Sequence, residues 1–96
     1  MYGTLAKFTI KPENVDAMNA LMQDQGQLAV PGFIASHLLR PDAGGDAFYL
    51  AVFFEDQASY EKNADDPAQH ERYLKYRPLM EAEPEWTDGV WDSYTP

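Results

Sequence analysis

Alternating apolar and polar positions open the chain. Tyr2, Thr4, Ala6, Phe8 and Ile10 fall on one face of an extended segment, and Gly3, Leu5, Lys7 and Thr9 on the other, which predicts a strand over residues 2–10. Pro12 then opens a helix, since proline is tolerated in a first turn. Val15, Met18, Leu21, Met22 and Gln25 recur at helical spacing, and Gly26 is placed to end it. Pro31-Gly32 marks a turn before a strand from Phe33 to Arg40, and the loop Pro41 to Asp46 suits a hairpin connection. Ala47 to Glu55 is apolar at both parities and reads as a central strand covered on both sides.

Helical signals return after that strand. Asp56 can cap a short helix running through Asn63, and Asp66-Pro67-Ala68-Gln69 reads as a cap, a proline at the first helical position and a glutamine three residues on. The next helix places His70, Tyr73, Leu74 and Arg77 on one face at spacings of three, four and seven, which aims His70 inward. Pro78 ends or kinks it, and Trp86 to Tyr94 supplies the last strand. The order is β-α-β-β-α-β with the second helical region in two pieces. That is the ferredoxin-like α+β pattern, a four-stranded antiparallel sheet with helices on one face and its first and third strands central. The other face, carrying Leu5 and residues of the second and third strands, is too apolar to stay bare. A homodimer packing sheet against sheet, an α/β barrel, is the expected remedy.

Composition narrows the class. A chain of 96 residues reads as one domain spanning 1–96. It carries 13 aromatic residues and 45% hydrophobic residues, well above a disordered acidic chain. Net charge is −9, with eleven acids and four bases in residues 55–96 against five and three in residues 1–54. There is no Lys/Arg cluster, so nucleic acid and anionic membrane surfaces are poor partners. Cysteine is absent, which removes disulfides, thiolate nucleophiles and cysteine metal sites. No apolar run approaches the roughly 20 residues of a membrane span, and the N-terminus enters a strand pattern rather than a signal peptide. A cytoplasmic location is expected.

Few residues carry chemistry. His70 is the candidate base or ligand, or else a surface histidine beside Glu71 and Arg72. His37, mid-strand and on a face with Phe33, Ala35 and Leu39, reads as a histidine packed at the sheet or dimer surface. Tyr60, Tyr73, Trp86 and Trp91 can line an aromatic pocket or simply pack a core. The two tryptophans lie on opposite strand faces, so at most one meets that pocket. Arg77 is placed to hold an anionic substrate or to pair with nearby glutamates. Two histidines 33 residues apart and scattered acids show no metal-ligand spacing. Gly44-Gly45 has no following helix to make a phosphate loop, so no nucleotide cofactor is expected.

VPGFIASHLL, FYLAVFFEDQASYE and DDPAQHERY, in that order and spacing, resemble the antibiotic biosynthesis monooxygenase family of dimeric α/β barrels over Tyr2 to about Tyr94. That superfamily includes cofactor-independent quinol-forming monooxygenases and heme-degrading monooxygenases. The heme-degrading pattern has an asparagine in the first strand, a tryptophan in the helix after the third, and a heme-ligating histidine ten residues later. Here His70 keeps that spacing from Tyr60, but Tyr60 stands in place of the tryptophan, and Thr4 and Ala6 offer no asparagine. The resemblance thus implies oxygenation of an electron-rich phenol or hydroquinone-like substrate without bound cofactor or metal. His70 would be the base, Tyr60 and Tyr73 would orient the ring, and Trp86 and Arg77 would contact substrate. A non-catalytic dimer binding a small hydrophobic ligand, and a heme-binding relative, are the alternatives.

Overall fold

The computed structural model describes residues 1–25 and 29–95. Its elements are β1 (Tyr2–Thr9), a 3₁₀ turn at Pro12–Asn14, α1 (Val15–Gln25), β2 (Phe33–Leu39) and β3 (Ala47–Phe54). There follow α2 (Gln57–Ala64), α3 (Pro67–Tyr76), a second 3₁₀ turn at Arg77–Leu79, and β4 (Glu85–Val90). The β-α-β-β-α-β order is present, with the second helical region in two pieces. The expected stop of α1 at Gly26 lies outside the described residues. The four strands form one antiparallel sheet in the order β2-β3-β1-β4, so β1 and β3 are central.

The pairing of β1 with β3 runs from Tyr2 opposite Phe54 to Thr9 opposite Ala47. Because side chains alternate along a strand, this register sends Thr4, Ala6 and Phe8 to the same face as Val52, Leu50 and Phe48. All three helices cover that face. Ala6, Phe8, Ile10, Met18, Phe48 and Met80 form the core, with Val15, Met22, Leu38 and Tyr76 packed around it. Burying a side chain such as Ile10 or Met18 completely contributes roughly 1.5–3 kcal/mol.

Caps set the helix starts. The Asp56 carboxylate accepts from the Ser59 amide at 2.8 Å, and Asp66 from the Ala68 amide at 2.9 Å. The bond from Ser59 holds the Asp56 carboxyl below its ordinary value. Its stabilisation is present above the ordinary aspartate range and is lost as pH falls through the depressed folded value. The expected second half of a capping box is not made, because the Gln69 carboxamide is taken up by Arg72 at 2.9 and 3.1 Å.

Two strand details correct the sequence reading. The register of β2 shifts between Phe33 and Ala35, so Ile34 is an extra residue in a bulge. Phe33 therefore turns toward the helices, against Phe54 at 5.6 Å, while Ala35, His37 and Leu39 lie on the opposite face. His37 packs there edge-on to Phe53 at 5.9 Å and does not share a face with Phe33. At the other end of the chain, β4 stops at Val90 rather than at Tyr94. Trp91 lies one residue past the strand, its N–H donating to the Met1 carbonyl at 2.9 Å and its indole Nε1 to the Val52 carbonyl at 2.9 Å. The indole crosses Gly3, where an added Cβ would collide with the Val52 carbonyl and stand 3.0 Å from Trp91 Nε1. Gly32 is also required: it takes φ 78° in the turn closed by Phe33 N–H to Val30 C=O, and a Cβ there would strike Ser59.

Among the described residues no helix covers the second face of the sheet, where Trp91 lies over Gly3 and against Phe53. Leu5 and Leu39 are 43% and 63% exposed, and Tyr49, Ala51 and Phe53 of β3 lie between them, half-buried. β3 is thus covered on one side by helices and on the other, among the described residues, by no helix or strand. Among the described residues, no helix is long and apolar enough to cross a membrane.

Candidate active site

The helices do not close tightly onto the sheet. Between them lies a cavity of about 520 Å³, within the range of small-molecule sites. Its floor comes from the helix-facing positions of the sheet, among them Thr4, Phe8, Val52 and Trp86. Phe33, Phe54 and Met22 close the sides, and Tyr60 and Asn63 of α2 with Gln69, Arg72, Tyr73 and Tyr76 of α3 form the roof. His70 also reaches the wall.

The structure therefore brings His70, Tyr60, Tyr73 and Trp86 to one cavity and leaves Arg77 out of it. The Arg77 Nε donates to Glu83 Oε1 at 3.2 Å and its Nη1 to the Met80 carbonyl, so its charge is spent on the β4 approach. The substrate contact expected from Arg77 is not available from that position. Trp86, opposite Ala6, meets the cavity, whereas Trp91, past the end of β4, lies on the other sheet face against Phe53 at 4.8 Å.

α3 is turned by about one residue, roughly 100°, from the expected face. The half-buried positions are Gln69, Arg72, Tyr73 and Tyr76, whereas His70 and Leu74 are exposed, Leu74 to 52%. His70 consequently stands at the mouth of the cavity rather than pointing into it. The reason is packing volume: two tyrosines one turn apart, at 73 and 76, bury more apolar surface than a histidine and a leucine. That Tyr73–Tyr76 pair is the signal that would have located Gln69 and Arg72 from the sequence.

Both tyrosine hydroxyls expected to orient a ligand have partners. The Tyr60 hydroxyl donates to Asp88 Oδ1 at 2.8 Å, and the Tyr73 hydroxyl donates to Glu83 Oε2 at 3.2 Å. Burial first, then the bond to and charge of Asp88, push the Tyr60 phenol up to about 12. Burial and the Glu83 charge likewise raise Tyr73, and burial raises Tyr76. These phenols stay protonated at neutral pH and offer ring surface and an accepting oxygen. Tyr60 is held in an aromatic cluster with Tyr2 at 5.4 Å and Phe54 at 5.5 Å, and Trp86 packs on Phe8 at 5.8 Å and Tyr73 at 6.4 Å. Among the described residues no three His, Cys, Asp or Glu side chains are grouped to hold a metal ion.

The model of the antibiotic biosynthesis monooxygenase family matches residues 1–74. A comparison with curated proteins found no match. Solved structures share the fold. A conserved protein from Methanosarcina mazei Go1 aligns with TM-score 0.76 at 17% identity, covering 90% of this chain and 87% of the other. SnoaB, a cofactor-independent oxygenase from Streptomyces nogalater, solved as a mutant, aligns with TM-score 0.75 at 17% identity over 97% and 94% of the two chains. Rv0793 from Mycobacterium tuberculosis gives 0.74 at 15% identity over 97% and 96%.

The Tyr60–Asp88 bond has a measurable signature. In an ultraviolet tyrosinate titration, the step removed by Tyr60→Phe should be the one centred near pH 12 in the parent protein. In Asp88→Asn that step should move down toward the ordinary value of about 10. A raised phenol binds its proton more tightly folded than unfolded, so its stabilisation is complete below pH 10 and fades as pH climbs to 12. A Tyr60 step unmoved by Asp88→Asn would show that burial alone sets it.

Proposed function

The chain belongs to the antibiotic biosynthesis monooxygenase family, and from that premise we propose that it oxygenates an electron-rich phenol or hydroquinone-like substrate with O₂ and no bound cofactor. The observation that carries the reading is the 520 Å³ aromatic-walled cavity with His70 at its mouth. SnoaB's description as a cofactor-independent oxygenase accords with it.

Histidine is the side chain suited to taking a phenolic proton at neutral pH, and His70 is the one at this cavity. The resulting phenolate gives one electron to O₂, forming a phenoxyl radical and superoxide. These combine at a ring carbon to make a C–O bond, and the peroxide takes up the proton held on His70. Loss of the hydrogen on that carbon with cleavage of the O–O bond leaves a carbonyl, so phenol and O₂ yield quinone and water. The rings of Tyr60, Tyr73 and Trp86 stack on or abut the substrate, and the apolar walls keep water from the reduced-oxygen intermediates.

The reading includes a homodimer. Leu5, Leu39, Tyr49 and Phe53 on the uncovered face favour a second copy as cover, because an exposed patch of this kind is costly in water. Sedimentation should give a dimer at micromolar concentration, and Leu5→Asp should dissociate or unfold it, since an unpaired buried charge costs several kcal/mol. A stable wild-type monomer at that concentration would remove the dimer from the account.

For turnover, His70→Ala should lower kcat/KM on any accepted phenol by about 10²–10⁴-fold, the usual worth of a positioned general base. The thermal transition should change little, because His70 is exposed. His37→Ala, on the opposite sheet face, should stay within several-fold of the parent. Full activity in His70→Ala would mean that the substrate ionises unaided or that another group takes its proton.

A further inference from the structure

Charge is distributed unevenly between this protein's surface and its cavity. The chain carries sixteen Asp and Glu and a net charge of −9, yet the described cavity lining includes none of those acids and one Lys or Arg, which is Arg72. Arg72 sits on the inward face of α3, between Gln69 one turn before it and Tyr76 one turn after.

Its partners are neutral. Nε and Nη2 both donate to Gln69 Oε1, at 3.1 and 2.9 Å, and Nη2 also reaches Asn63 Oδ1 of α2 at 3.5 Å. Two amide oxygens fix the plane of the guanidinium without cancelling its charge. Arg77, five residues on, shows the contrast, since it is neutralised by Glu83. No hydrogen bond among the described residues uses Nη1 of Arg72, and two of its five donors lie there. A guanidinium held in plane with donors to spare is the arrangement that recognises an anionic oxygen, and apolar walls strengthen the attraction.

We propose that Arg72 anchors the ligand in this cavity, and that the ligand is an aromatic molecule bearing an anionic oxygen, a carboxylate or an ionised phenol. This rests on the reading of the cavity as the substrate site. Arg72 is then the specificity residue of the site, and for a phenol it favours the ionised form that has to give up an electron. Its charge already acts on a neighbouring phenol: it pulls Tyr76 down against the upward push of burial.

The test uses two ligands of nearly equal shape, 2-naphthoate and 2-naphthamide, with binding read from quenching of tryptophan fluorescence. The wild type should bind the naphthoate at least about 10-fold more tightly, as expected for a charge-assisted hydrogen bond. Arg72→Gln should lose that preference while binding naphthamide within about threefold of the parent, and Arg72→Lys should restore part of it. Lys75→Gln, which removes a nearby charge from the outer face of α3, should leave the preference intact. With 2-naphthol as ligand, bound-state emission should show ionisation at lower pH in the wild type than in Arg72→Gln. A shift with naphthol but no naphthoate preference would assign the site to phenolates, and the reverse to carboxylates. Equal binding of naphthoate and naphthamide, together with no naphthol shift, would overturn the role of Arg72 and leave the cavity reading standing. Parallel loss of both naphthalene ligands in Arg72→Gln would show that Arg72 only supports the cavity's shape. Failure of the wild type to bind any of the three would overturn both readings.

Discussion

The pairing of β1 with β3 over their full length is the constraint on which the rest of this structure depends. It puts the most apolar strand of the chain at the middle of the sheet, where both parities must find cover. One parity meets the helices and makes the core. The other, with Tyr49, Ala51 and Phe53, is left to the outside of the chain. A β3 of alternating polarity would leave a polar second face and remove the ground for the proposed dimer. The same register fixes the site, because Thr4 and Val52 come level with Asp88 of β4, and Asp88 is where the Tyr60 hydroxyl is tied.

The cavity exists because three short helices do not fill the space over four strands. α2 and α3 meet the sheet through long aromatic side chains, Tyr60, Tyr73 and Tyr76, which hold the helices off the floor. The hydroxyls of Tyr60 and Tyr73 are drawn toward acids at the margin of the cavity, Asp88 and Glu83, so their polar ends are satisfied outside the apolar space. What lines the cavity is mostly ring surface and aliphatic carbon. Against that background the polar groups on the wall, among them His70, Arg72, Gln69, Asn63 and Ser36, are the ones on which the proposed orientation and chemistry rest.

Much of this was legible in the residues. Strand alternation from Tyr2, the two-sided apolarity of Ala47 to Phe54, and the caps at Asp56 and Asp66 were enough for the element order and the central strands, because each is a local signal consistent with the whole. The errors have specific causes. Helical spacing does not distinguish His70–Tyr73–Leu74–Arg77 from Gln69–Arg72–Tyr73–Tyr76. Only the bulk of the second tyrosine decides it, and that depends on the floor beneath. The bulge at Ile34 reverses the parity of Phe33 and has no mark in composition. Trp91 lies just past the end of β4, where the space over Gly3 admits its indole across β1 to the Val52 carbonyl. Arg77 was the more conspicuous arginine but stands where Glu83 can reach it, while Arg72 is clamped by amides that no charge pattern would single out.

The central claim is that a cavity of aromatic walls and one histidine supports oxygen transfer without a bound cofactor. Incubation of purified, extensively dialysed protein with ¹⁸O₂ and a panel of electron-rich phenols and hydroquinones tests it most directly, with the products read by mass spectrometry. The account predicts a quinone carrying one ¹⁸O atom, formed in equal amount to the oxygen consumed, with the second atom in water. A phenol that binds the cavity yet consumes no oxygen, or a product whose new oxygen comes from solvent, would contradict it.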